Sequence, residues 1–425
     1  MKKLLFLISL WLCINLQAAD IYVNSFGTPN SFPTLALAIN AANDGDRILV
    51  SDLTTLNETD TIDKSLTIIS QVSGQRVDFT GDIYIKANSS IEIRIIGFLI
   101  KGGSIIALNG TANEINKCNF YLIDSEFEYS SSFTSSSPNL LNFDIPGLSA
   151  NILFCSADQF DVKFRNGQLI GSNFRNFFIE EGSNFNYNDT IKIIANYFSG
   201  GNIGSIVNNE DHYFYIANNF FKNTLLEINK NVSSGIGNNL ILNNCFTNSH
   251  RLYGTNLVFK DGFSHNKTIV KNNEFDRTSY CLNQNWSCYS SQDYLRKNIG
   301  TGSTNSLQSS YNPFIQYNYF DYNSNRYGAN GVVLDSLNYF QGGIPSYDYS
   351  SSNNGDPGIE YYDIDLTRNN IGPNGGYNCW FNYRGSSFSQ NYTYVSGGTR
   401  IYNLELPSRV FNGQANVRAK AVHGK

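Results

Sequence analysis

Ile193-Ile194-Ala195-Asn196-Tyr197-Phe198, Tyr215-Ile216-Ala217-Asn218-Asn219-Phe220-Phe221, Leu240-Ile241-Leu242-Asn243-Asn244-Cys245-Phe246 and Ile269-Val270-Lys271-Asn272-Asn273-Glu274-Phe275 share one pattern, a short apolar strand that runs into Asn-x-Phe. The closing phenylalanines fall 23, 25 and 29 residues apart. Working outward, Phe127, Phe174 and Phe320 close similar units, with Ser125, Ser172 and Asn318 two residues earlier. The intervals 127–174 and 275–320 are 47 and 45 residues, close to two turns of a coil near 24 or to one turn plus an insertion. Each unit offers short strands between polar corners and cannot bury its apolar face alone, so successive units must stack. Asn tolerates a left-handed backbone, and its amide can bond to the coil above or below, so equivalent corners form a ladder. With strands ~4.8 Å apart, about a dozen coils make a rod roughly 55–60 Å long. A leucine-rich solenoid would show Leu-x-x-Leu-x-Leu, which is absent, and propeller blades of about 40 residues do not fit this period.

Composition agrees with an all-β chain. Charged residues are 15% and aromatics 14% of the 425 residues, and Asn, Ser, Gly and Tyr crowd every segment. A net charge of −5 with scattered Lys and Arg lacks the basic stripe of a phosphate-tracking protein, which argues against nucleic acid as a partner. Met1-Lys2-Lys3, the apolar run 4–16 and Gln17-Ala18-Ala19 read as a secretory signal, residues 1–19, with cleavage near Ala19. The run is shorter than the roughly 20 residues that span a bilayer, and no later stretch is long and apolar enough, so no membrane span is expected. Cys13 follows Leu12 rather than a small residue, which argues against a lipid-anchored terminus. The expected address is periplasmic, secreted or cell-surface.

Export permits disulfides. Of the six later cysteines, Cys281 and Cys288 lie close together in a loop-like segment and form the expected pair. Cys245 stands at the variable position of an Asn-x-Phe unit and reads as a small packed side chain. No CxxC spacing supports a zinc or redox site.

Near the start, Asp20-Ile21-Tyr22-Val23 alternates as a strand, Thr34-Leu35-Ala36-Leu37-Ala38-Ile39-Asn40-Ala41-Ala42 has helical spacing with Ser31 or Thr34 as cap, and Asn43-Asp44-Gly45-Asp46 stops it. Arg47-Ile48-Leu49-Val50 and Ser65-Leu66-Thr67-Ile68-Ile69-Ser70 follow as strands. A lone helix before a stack of strands can cover its open apolar end. This order resembles the N-terminal cap and first coils of the pectin-lyase-like family of right-handed parallel β-helices, and the resemblance continues to about residue 349. It implies a right-handed parallel β-helix (solenoid) over 20–349 with a short N-terminal capping helix. That family includes lyases, hydrolases and proteins without known chemistry, so the resemblance implies fold rather than activity.

Residues 350–425 depart from the repeat. Ser350-Ser351-Ser352-Asn353-Asn354-Gly355-Asp356-Pro357 is a turn-rich joint, and Asp363 to Gly376 resembles the closing segment of exported β-helix proteins. Asp363 and Asp365 could offer oxygens to Ca²⁺, although the full series of a calcium loop is missing and a structural turn with Asp365 paired to Arg368 is the alternative. Residues 400–406 and 415–422 alternate as two strands of a small C-terminal β-element.

Function is expected where the ladder is stretched. Residues 129–149 are Ser-rich with Pro138 and Pro146 and read as a surface loop. Residues 276–312 carry Tyr280, Trp286, Tyr289 and Tyr294, whose ring faces can stack on sugars while Asn and Gln meet hydroxyls; packing of these rings against the stack is the alternative. A hydrolase would need clustered Asp residues with a histidine, and neither Asp-Asp nor Gly-His-Gly occurs. A lyase acting on a uronate needs a cation or Ca²⁺ and a basic side chain to take the proton. His250 and Arg251, then Lys260, Asp261 and His265, supply those residue types within one coil, and Asp211-His212 lies about two coils earlier. Glu180 and Glu227 each stand six residues past a ladder phenylalanine, which could align them two coils apart. The expectation is an exported β-helix protein binding polysaccharide or a cell-surface glycan without catalysis, with a polysaccharide lyase as the alternative.

Overall fold

The computed structural model describes residues 18–320 apart from 27, 52–54, 72–74, 87–89, 109–116, 129–139, 144, 146, 159, 176, 182–189, 205–212, 229–238, 248–256, 260–267, 277–298, 302–313 and 317. Beyond them it describes 339–340, 355–358, 361, 363, 368–373, 375–376, 399–405 and 418–423.

The chain is a parallel β-helix. Its first face is a sheet of 13 strands in which Ser31–Phe32 flanks Asp20–Val23 and the others follow in sequence order to Phe314–Gln316. The second and third faces are two further parallel ladders. They merge into one 20-stranded sheet because Tyr197–Gly204 and Phe220–Ile228 run from one face to the next without a break.

Alternation along each strand decides what is buried. On the first face, Ile48, Ile68, Ile95, Leu122, Ile152, Leu169, Ile193, Ile216, Ile241 and Val270 stand in one register column and are fully or almost fully buried. On the second face the column reads Leu56, Phe79, Ile100, Phe127, Ala157, Phe174, Phe198, Phe221, Phe246, Phe275, Phe320, Phe340. Phe198 and Phe221 stack at 5.2 Å, and Phe221 with Phe246 and Phe246 with Phe275 at 4.8 Å, so ring spacing follows strand spacing.

The register resolves the two long intervals. The 47 residues from Phe127 to Phe174 are two coils, with Ala157 between them, whereas Phe275 pairs directly with Phe320 and their 45 residues are one coil with insertions. A further unit, Tyr339–Phe340, stacks on Tyr319–Phe320.

The corner between the first two faces divides the expected duties of asparagine between neighbours. Ala195, Asn218, Asn243 and Asn272 adopt φ of 54° to 58°, and Gly97, Asp124, Phe154 and Gly171 hold positive φ at the same corner of earlier coils. The next residue is the buried rung. Asn196 Nδ2 donates to Asn219 Oδ1 at 3.0 Å, and Asn219 to Asn244, Asn244 to Asn273, and Asn273 to Asn318 at 2.9 Å each. Each acceptor oxygen also takes the backbone N–H of the preceding rung, and each Nδ2 also donates to a carbonyl one coil back, as Asn244 does to Ile216 O at 2.9 Å. The amides are thereby satisfied inside the stack. Toward the N-terminus Ser172, Cys155 and Ser125 take the same position, with Cys155 N donating to Ser172 Oγ at 3.0 Å.

The helix Leu35–Ala41, α1, buries Leu35, Ala38 and Ile39 in the main core cluster beside Val23, Ile48 and Ile62. Thr34 is its N-cap, accepting from Leu37 N at 3.2 Å. Glu58 accepts from Leu35 N at 2.9 Å and Ala36 N at 3.1 Å, while Lys64 Nζ donates to Ile39 O at 3.1 Å and Ala42 O at 3.0 Å. A carboxylate at the positive end and an ammonium at the negative end suit the helix dipole and fasten both ends to the coil that follows. At the other end of the chain, Thr399–Glu405 and Arg418–His423 form the antiparallel two-stranded element.

Candidate functional site

The three edges of the rod differ. The edge between the first and second faces is the tight asparagine corner, and over its later coils residues 355–376 run as a strap. Asp356 N donates to Asn272 Oδ1 at 2.7 Å; Asn243 Nδ2 donates to Asn369 Oδ1 at 2.8 Å and Asn370 O at 3.0 Å; Asn218 Nδ2 donates to Pro373 O at 3.0 Å and Gly375 O at 2.6 Å. Lys271 forms a largely buried ion pair with Asp356 at 2.6 Å and lies over the Tyr361 ring at 4.9 Å. The left-handed asparagines are thus anchors for the strap.

The other two edges carry the insertions. Between the second and third faces the early coils are tight: a Cβ on Gly103 would lie 1.9 Å from the Gly81 carbonyl oxygen. From Glu126–Glu128 onward that edge takes the connections 129–139, 248–256 and 277–298, the last two on adjacent coils because Cys245–Thr247 pairs with Glu274–Asp276. Between the third and first faces lie 182–189, 205–212, 229–238, 260–267 and 302–313 on five successive coils. The third face is therefore a floor along the rod, with inserted connections leaving from the edges on both its sides.

This topology regroups the sequence candidates. His250 and Arg251 belong to the connection at one edge, and Lys260, Asp261 and His265 to the connection at the opposite edge, with the strand Leu257–Phe259 between them. Tyr280, Cys281, Trp286, Cys288, Tyr289 and Tyr294 belong to the connection one coil beyond that of His250 and Arg251, at the same edge. Asp211 and His212 share the edge of Lys260, two coils earlier. All of these residues lie outside the described ones, and the register fixes only which strands their segments join. On the floor, Asn142, Lys163, Glu180, Gly204 and Glu227 occupy one register column, so Glu180 and Glu227 are aligned two coils apart. At ~4.8 Å per coil their backbones are separated by roughly 10 Å.

Asp363 is buried and accepts from Gly376 N at 2.5 Å and from Asn370 N at 3.2 Å. Its carboxylate clamps the strap's turn; Asp365 lies outside the described residues, and Arg368 Nε donates to Gly355 O at 2.7 Å. Among the described residues no group of three His, Cys, Asp or Glu side chains could hold a metal ion. Cys118, Cys155 and Cys245 are buried, and burial pushes the Cys118 and Cys155 thiols up to about 12, which keeps them protonated and unreactive. No helix among the described residues is long and apolar enough to cross a membrane.

One titratable group stands apart from these edges. Asp60, on the inner side of the third face opposite Ile83, is 2% exposed, and neither of its carboxylate oxygens has a hydrogen-bond partner. Burial, and then the nearby Glu58 charge, raise its pKa to about 7.

Family models, curated proteins and solved structures were all compared with this chain, and none of them matches it.

Proposed function

We propose that this chain is an exported, non-catalytic polysaccharide-binding β-helix of the pectin-lyase-like kind, which holds an extended glycan along its third face. The observation that carries this reading is that the aromatic-rich connection 277–298 and the connection bearing His250 and Arg251 join adjacent coils at one edge of that floor. A long face with repeating registers suits a polymer better than a compact ligand. Aromatic rings from one edge and amides or charges from the floor supply apolar and polar contacts to sugar rings. The same reading gives α1 the role of sealing the first coil and the segment 1–19 the role of export signal.

The five lyase candidates divide between opposite edges, His250 and Arg251 on the connection before a three-residue strand about 10 Å long and Lys260, Asp261 and His265 on the connection after it. That arrangement favours binding over one compact catalytic cluster.

The test is a glycan array followed by titration of the best acidic and neutral polymers, with ultraviolet monitoring for unsaturated uronate in the presence and absence of Ca²⁺. Binding without product is expected, and Trp286→Ala should weaken it about tenfold or more, as loss of a central aromatic anchor does. Release of unsaturated product would replace this reading by the lyase one, and absence of binding across the array would overturn both.

A further inference from the structure

The outer side of the first face has an order of its own, because its side chains alternate with the inward column that contains Leu122 and Ile193. One outward column reads Arg94, Tyr121, Asn151, Gln168, Lys192, Tyr215 on six successive coils. A basic residue one coil before a tyrosine thus occurs twice, four coils or ~19 Å apart, with two amides between. The run is bounded at both ends. Arg47, two coils before Arg94, is held by two bonds to Asp20 at 2.7 Å each, and the apolar Leu240 follows Tyr215.

The neighbouring columns give this strip two unlike borders. Toward the asparagine corner stand Ile96, Ile123, Leu153, Ile170 and Ile194, and on the other side Glu92, Asn119 and Ser149. Tyr121 and Tyr215 pack against an outer hydrophobic cluster that includes Ile123, Leu153, Ile170 and Ile194, yet both rings stay partly exposed. They are therefore held in place before a ligand arrives, which lowers the entropy lost on binding. An apolar border beside a polar one matches a sugar ring, which has an apolar C–H face and a hydroxyl rim.

The two charges are accessible. Lys192 is exposed and makes no hydrogen bond or ion pair among the described residues. Arg94 pairs with Glu92 at 2.6 Å on the surface, and its guanidinium lies 5.4 Å from the centre of the Tyr121 ring. Exchanging so exposed a pair for a ligand carboxylate costs little, and the guanidinium plane suits a carboxylate. Asn151 is buried and its Nδ2 donates to Phe120 O at 3.1 Å, which keeps it down in the face between the two basic and aromatic pairs.

We propose that this strip is a second polymer-binding track, for an extended acidic polysaccharide whose carboxylates meet Arg94 and Lys192 and whose sugar rings lie on Tyr121 and Tyr215. It shares a ligand class with the reading of the third face and uses none of the same residues.

The test is calorimetric titration of the full chain with polygalacturonate oligomers and with dextran oligomers as the neutral control. Polygalacturonate should bind more tightly than dextran, and less tightly as salt is raised. Lys192→Glu should weaken that binding about tenfold or more, as should Tyr215→Ala. Because Tyr215→Ala could loosen the outer cluster, Lys192→Glu decides: its side chain is exposed and unpaired, so the fold is expected to keep its circular dichroism. Absence of polygalacturonate binding, equal or tighter binding of dextran, or an affinity unchanged by Lys192→Glu would overturn the proposal. If Trp286→Ala alone weakened binding, the third-face reading would stand and this track would fall. If Lys192→Glu alone weakened it, the track would stand without that reading.

Discussion

Asn244→Leu should destabilise the stack by about 3–5 kcal/mol, measured by urea unfolding followed with circular dichroism. Leucine has similar volume and leaves no large cavity, so the loss isolates the amide. Without Asn244 Oδ1, the backbone N–H of Asn219 loses its acceptor, and so does one bond of Asn219 Nδ2. Without Asn244 Nδ2, Ile216 O and Asn273 Oδ1 each lose a donor. These groups are inside the rod, where each unsatisfied polar atom costs about 1–3 kcal/mol and a linked chain of amides amplifies the loss. The neighbouring change Asn243→Ala should behave differently: it removes an anchor of the strap, with partners Asn369 and Asn370, and leaves the rung intact. A loss at Asn244 below about 1 kcal/mol would show that the ladder adds little beyond backbone pairing.

Asp60→Asn should make the chain more stable at pH 8 while leaving it almost unchanged at pH 4. The unfolded carboxyl ionises near its ordinary value of 3.8, whereas burial holds the folded one protonated up to about 7. Between those values the native state binds the additional proton, so stability falls as pH rises through the window and is flat above it. A shift of about 3 units corresponds to about 4 kcal/mol as a ceiling. Chemical denaturation at pH 4, 6 and 8 should therefore show a decline in the parent chain that the variant lacks. Parallel pH profiles for the two proteins would mean that Asp60 is solvated when charged. The position adds interest because Glu58, two residues earlier, holds the first N–H groups of α1.

Much of the fold was legible because large side chains mark the coil. Phenylalanine two residues after asparagine or serine identified the second face and the rung from Phe127 to Phe320. The reading left two alternatives open where small residues stand in: Cys155-Ser156-Ala157 takes the corner and second-face positions of the coil between Phe127 and Phe174, yet it has neither Asn nor Phe. There the thiol Sγ donates to Leu122 O at 3.5 Å and Leu153 O at 3.4 Å, a weaker version of the amide's role. Asn338-Tyr339-Phe340 repeats the pattern of Asn318-Tyr319-Phe320 and could have been found by extending the search. The two adjacent asparagines could not be separated by inspection, because either type of duty suits the same residue. Nor could the strap, whose bonds to Asn218 join residues 155 and 157 positions apart. The site candidates were legible as residue types, but which edge each segment leaves from depends on register, and this is what divided the lyase set and joined His250 and Arg251 to the aromatic connection.

The rungs all point one way. From Asn196 to Asn273 each side-chain amide gives one hydrogen forward to the oxygen of the next rung, and no link between rungs in that run reverses. A chain made from its N-terminus therefore presents, at every stage, a finished coil whose free N–H groups await one oxygen at one place. The incoming asparagine docks its oxygen and one hydrogen on the coil before it and, in docking, orients its other hydrogen for the coil after it. The ladder is a vectorial template, and assembly in the opposite sense would have to begin from a coil with its acceptors already placed and its donors unformed.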